Sequence, residues 1–279
     1  MGRNKLFKLA LMAQLLITGC SGYNQLKAMA PKNSDEALYE DALKAVNAGQ
    51  YDSAISIINN QISLGFRSNP PVVRTLTSAY SGKCGLDFLT FIEGIQSGGS
   101  SPFALAMSGF TNASVVTSGC QNAQNTIENY FGTSPSQRTP SDNFFMAFLG
   151  LAKIGAMLRS KADVNQDGNV DTGFDVCDSG DISDNEIKYV GTGLGLLLQN
   201  ITAVGAALGG AGSAINALDT LCDSLPPPNP CEITDVNSSN WTTGTMGTIT
   251  MIRRLAASTS FGITAGFCSN YSNPATCCP

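Results

Sequence analysis

Histidine is absent from this chain of 279 residues. The commonest general base and the commonest zinc ligand are therefore both missing. Charged residues make up only 13% of the sequence, about half the usual share for a soluble domain. The formal net charge is −5, so the chain carries no basic footprint and no nucleic-acid partner is expected. Cys-x-x-Cys, Gly-x-Ser-x-Gly and phosphate-binding glycine loops are all missing as well. With those go the commonest redox, acyl-transfer and nucleotide chemistries, and the chain is read as non-enzymatic.

What is present begins with an address. Arg3, Lys5 and Lys8 form a basic start, and residues 9–17 form an apolar run too short to span a bilayer. The run ends in Ile17-Thr18-Gly19-Cys20 rather than in a plain small-residue cleavage site. That string resembles the lipobox of bacterial lipoproteins. The resemblance implies a signal peptide over 1–19, acylation of Cys20 and a flexible tether over 20–33. Ser21 after the cysteine implies, by the same resemblance, sorting to the outer membrane, lipid-anchored and facing the periplasm. The membrane is then one partner, reached through the lipid.

From residue 34 onward the apolar spacing is helical. Ser34 is a good N-cap, and small or apolar residues recur at Ala37, Leu38, Ala42, Ala45 and Val46. After Ala48-Gly49 a second helix carries Ala54, Ile55, Ile58 and Ile62. The turn Gly49-Gln50-Tyr51-Asp52-Ser53-Ala54-Ile55 resembles the tetratricopeptide repeat. In that family glycine permits the sharp turn, an aromatic wedges between helices and alanine lets them approach. A degenerate second hairpin is expected after Pro70-Pro71, so residues 34–98 read as repeat-like hairpins. The expected fold class is all-α: stacked helical hairpins, stapled by disulfides, within a single domain over 34–279 that includes a cysteine-rich part over 222–279.

Residues 143–162 are apolar on most of their surface and read as a central helix. Residues 132–142 read as an exposed connector. No charge falls between Lys188 and Asp219, a stretch that raises the question of a membrane span and contains Gly205-x-x-x-Gly209. Its Gln199, Asn200, Asn216 and many glycines favour a buried, tightly packed helix over a membrane-inserted or pore-forming segment. Trp241, the only tryptophan, reads as a core or loop anchor, and Arg253-Arg254 as a solvated face.

Nine cysteines minus Cys20 leave an even set: Cys84, Cys120, Cys177, Cys222, Cys231, Cys268, Cys277 and Cys278. In an exported chain such a set reads as disulfides. Cys222 and Cys231 bracket a proline-rich turn that brings them together. Cys277 and Cys278 are adjacent and are expected to reach separate partners, tying the tail to the body.

One loop carries candidate chemistry. In "DVNQDGNVD" Asp163, Asn165 and Asp167 hold the first, third and fifth places and Gly168 the sixth. Asn169 offers a carbonyl, Val170 is apolar and Asp171 stands ninth. This arrangement resembles EF-hand and dockerin-type calcium loops, in which hard oxygens converge about a glycine turn. It departs at the twelfth place, where Phe174 replaces a carboxylate. Asp175, Asp178 or Asp181 is the expected substitute within an acidic loop over 163–184, and Asp175 completes the expected ligand set. Asp163, Asp167, Asp171, Asp175, Asp178, Asp181, Asp184 and Glu186 crowd together with no Lys or Arg among them, which favours solvation or a bound cation.

The expected function is that of an envelope lipoprotein serving as a helical protein-binding scaffold with a structural Ca2+ site. The alternative is an accessory solute-binding lipoprotein of an uptake system, with a ligand cavity between helices.

Overall fold

The computed structural model describes residues 33–87, 91, 93, 101–110, 114–203, 211–263 and 277–278. Among them all regular structure is helical: α1 (Asp35–Asn47), α2 (Tyr51–Asn60), α3 (Leu64–Arg67), α4 (Pro70–Lys83), α5 (Pro102–Ser108), α6 (Thr117–Phe131), α7 (Pro140–Ala162), α8 (Asp184–Gln199), α9 (Ala211–Asp223) and α10 (Thr248–Ala257). The all-α, disulfide-stapled class read from the sequence is what the chain adopts.

The first three long helices form a unit with small cores of its own. Ser34 caps α1 by accepting from the Ala37 amide, and Gly49, at φ +71°, makes the turn into α2. Ala42, Ile58, Ile62 and Val72 make one cluster; Ala45, Ala54 and Ala79 make another. Ala54 is fully buried, so α2 approaches both α1 and α4 through methyl groups. The Tyr51 ring lies on Gly82 of α4, in space that any Cβ there would occupy. Both residues singled out in the sequence therefore sit between helices. The second half of the expected second hairpin falls mostly outside the described residues.

Helix α4 joins this unit to the rest. Cys84, at its end, is bonded to Cys120 of α6. Gly119 brings the two backbones together: a Cβ there would stand 2.7 Å from both Tyr80 O and Cys84 N. Arg74 of α4 grips Asp142 of α7 through two bonds of 2.8 and 3.0 Å. The guanidinium holds the Asp142 carboxyl below its ordinary range, aided by the Thr139 hydroxyl.

The larger core runs from Cys84 to Cys278 and centres on α7 and α8. Helix α7 starts at a Thr139–Asp142 capping box with Pro140 in its first turn, a little before the expected position. Its interior residues are buried nearly all round, as its uniform apolarity demands. Gly150 and Gly193 let α7 and α8 meet backbone to backbone: a Cβ on Gly193 would stand 2.8 Å from Gly150 O. The described part of the uncharged stretch after Lys188 is divided between α8, a short turn over Ile201–Ala203 and α9. Among the described residues no helix is long and apolar enough to cross a membrane, and Gly205 and Gly209 lie outside them. Trp241 packs against Gly191 of α8 and donates from its indole to Asp235 O, as a loop anchor.

Two surface readings are corrected. Arg253 and Arg254 are 5% and 3% exposed rather than solvated. The expected connector over 132–142 contains a 3-10 turn, Pro135–Gln137, and a buried Arg138. Arg138 donates to the Gly132 and Thr133 carbonyls and to Asn143 and Asn200. In each case a guanidinium serves loop carbonyls that would otherwise go unpaired, which a count of local charge does not reveal.

Candidate functional site

The acidic loop leaves the C-terminus of α7 and returns at the Ser183–Glu186 capping box of α8. Asp163 is fully buried, and its carboxylate accepts from the amides of Asp167 at 2.9 Å and Gly168 at 3.0 Å. Asn165 Oδ1 accepts from the Asp167 amide, and Asp167 Oδ1 from the Asn169 amide. Each side chain thus folds the next two residues into a turn. Gln166 and Gly168 take φ of +67° and +84°, the turns that wrap the backbone around the Asp163 carboxylate. Asp171 closes the ring: its carboxylate accepts from the Val164 amide at 2.7 Å, and its own amide donates to Ala162 O.

The donor set is all oxygen, and carboxylate oxygens already bonded to one amide keep a further lone pair. Those features suit a hard cation over the first nine places. The rest does not converge. Phe174, at the twelfth place, is buried in the core. Asp175 turns away to accept from the Cys177 amide, Asp181 accepts from the Asp175 amide, and Asp178 accepts from the Gly180 amide. Among the described residues no three acidic, cysteine or histidine side chains stand together as a metal cage.

The loop is also less isolated in charge than its own sequence implies. Arg253, from α10, donates to the carbonyls of Val176 and Ile182 and to Asp184, each within 2.9 Å. Lys161 and Glu186 pair at 2.6 Å across the loop's base. Cys177 is bonded to Cys278, so the tail is stapled to the loop. Cys222 and Cys231 pair across the proline turn, and Cys277 is engaged in a disulfide separate from that of Cys278. Cys20 and Cys268 lie outside the described residues.

Two open depressions flank the Cys222–Cys231 turn. One, about 590 Å3, is bordered by Pro227, Asn229, Glu232 and Asp235. The other, about 240 Å3, lies between α8 and α9 with Asp219, Asp223 and Glu232 on its wall. Burial, reinforced by Asp223, raises the Asp219 carboxyl above its usual range.

A third cluster went unread in the sequence because it centres on one polar residue of an apolar helix. Lys153 of α7 is fully buried. Its Nζ donates to Gln124 Oε1 at 2.6 Å and Gln121 Oε1 at 2.9 Å, and stands 4.8 Å from the centre of the Tyr189 ring. Burial pulls its pKa down to about 7, against the opposing pull of Glu128 and Asp235. Gln121, Gln124 and Glu128, at spacings of three and four, share one face of α6 and were the signal available.

No protein family, no curated protein and no solved structure matches this chain. The functional reading therefore rests on the residues and geometry above.

Proposed function

We propose that this chain is an envelope lipoprotein, anchored through acylated Cys20, whose body holds a helical unit out toward a protein partner. The observation that carries this reading is the asymmetry of burial. In α1 only Ala42 and Ala45 are buried, while Leu38, Tyr39 and Val46 are half-buried beside exposed Glu36, Glu40 and Asp41. A helix that keeps apolar side chains half-covered at the edge of a stack suits a protein contact. The scaffold reading is preferred to the solute-binding one because the depressions described are open and bordered by polar groups, unlike an enclosed apolar ligand cavity.

Calcium has a structural part in this reading. Asp163, Asn165, Asp167 and the Asn169 carbonyl would hold it, with Asp171 closing the ring, and the ion would neutralise a crowded set of carboxylates. The left-handed turns at Gln166 and Gly168 are the support for this. Asp175 is not retained as a ligand, since its carboxylate serves the Cys177 amide.

Fatty-acid labelling with membrane fractionation tests the anchor. The wild-type chain is expected to carry label and sediment with membranes, and Cys20→Ala to lose both. Label that persists in Cys20→Ala would remove the anchor from the account.

A further inference from the structure

Helix α6 presents Gln121, Gln124 and Glu128 to the one buried lysine of α7, and the arrangement has a direction. Gln124 is 1% exposed. Its Nε2 donates to Glu128 Oε1 at 2.9 Å and to Thr234 O at 3.0 Å, while its Oε1 receives Lys153 Nζ. A peptide carbonyl only accepts, so Thr234 fixes which end of the amide faces Glu128 and which faces the lysine. Gln121 Oε1, itself oriented by its amide's bond to Asn125, holds Nζ from a second side. A nucleophile, an electrophilic carbonyl group and a carboxyl at the would-be leaving nitrogen are thus lined up in that order.

We propose that Lys153 and Gln124 condense within the folded chain to an isopeptide cross-link between α6 and α7, with Glu128 as the proton-transfer group. The Nζ lone pair adds to Cδ of Gln124 and forms the new C–N bond. The Glu128 carboxylate takes up the proton that Nζ sheds and passes it to Nε2, the Cδ–Nε2 bond breaks, and ammonia departs, leaving the carboxylate as it began. One primary amine and one primary amide become one secondary amide and ammonia, with no oxidant, reductant or cofactor consumed.

Three features favour this step over a merely hydrogen-bonded pair. Burial leaves a substantial share of the lysine as free amine near neutral pH, which the attack requires. Burial also raises the Glu128 carboxyl, against the pull of its bond from Gln124, which makes it a better acceptor for the proton in transit. Lastly, both helices are held by the core, so the amine and the amide stay within hydrogen-bond reach without further loss of freedom. The Tyr189 hydroxyl takes no part: it donates to the Thr117 carbonyl.

The test is peptide mapping of the full-length chain, purified, reduced, unfolded and digested with trypsin. The expected product is a branched peptide joining the Gln124 and Lys153 segments, lighter than their sum by one ammonia and uncut after Lys153. Glu128→Gln is expected to lose that product while keeping wild-type helical circular dichroism. Cleavage after Lys153 with unmodified Gln124 in the wild type would overturn the proposal. A branch at Gln121, or undiminished linkage in Glu128→Gln, would overturn the assignment of the acceptor or of the proton-transfer group.

Discussion

The unit of α1, α2 and α4 and the body around α7 and α8 solve the same packing problem with different materials. In the first, helices meet through Ala42, Ala45, Ala54 and Ala79 and one aromatic seated on Gly82. Few polar groups are enclosed, so a local pattern of small and apolar residues suffices. In the second, Gly150 and Gly193 bring backbones into contact and leave Lys153, Arg138, Arg253 and Arg254 inside. Buried cations need acceptors, which α6 supplies to Lys153, the adjoining connector and Asn200 supply to Arg138, and loop carbonyls far away in sequence supply to Arg253. Small residues let two helices approach; enclosed charge decides which loops must lie over them.

The difference predicts where damage falls. The largest effect is expected from Cys177→Ser combined with Cys278→Ser, which opens a loop of 101 residues. A loss of about 4 kcal/mol follows from the freed unfolded chain, read as a fall in the melting temperature of the body. Arg253→Met should come next, at about 3 kcal/mol, since it strands two buried carbonyls and removes the partner of Asp184. Chemical denaturation checks it, and a change confined to the range of ordinary surface substitutions would mean that Arg253 is not central to the loop's position.

The comparison sharpens with a change placed in the first unit. Gly82→Val displaces the Tyr51 ring and should cost about 2 kcal/mol, with most of the loss confined to α1 and α2. Adding Tyr51→Ala should recover part of that loss, because the overlap is removed; hydrogen exchange resolved by peptide shows where it falls. The smallest effect is expected from the acidic loop. Millimolar calcium, several times the dissociation constant common in extracellular-type sites, should add about 1 kcal/mol by mass action. Asp167→Ala should abolish that gain, and equal melting in calcium and chelator would return the loop to a solvated turn.

The legibility of the chain follows the same division. Ser34 and the Ser183–Glu186 box act within a few residues of themselves, and Tyr51 and Ala54 belong to one short turn motif, so their roles could be read directly. The Cys222–Cys231 pair was legible for the same reason, being only 9 residues apart. Arg253 was misread because its partners, Val176, Ile182 and Asp184, stand about seventy positions away and two of them are backbone atoms. Lys153 was overlooked because the apolar character of α7 hid one charge whose partners lie on α6. In the candidate cation loop the first nine places were read from spacing. The fate of Asp175 depended on the longer path through Asp181 and Cys177, which spacing does not describe.

The central claim is that the first unit meets a protein partner while the body serves as its base. Site-specific photo-crosslinking in the native envelope tests it most directly, with the photoreactive group placed at exposed Glu40 or Ser56 of the first unit, or at exposed Asn125 or Thr220 of the body. The account predicts a discrete protein adduct from Glu40 and Ser56 and none from Asn125 and Thr220. Adducts from the body positions alone, or from none of the four, would contradict it.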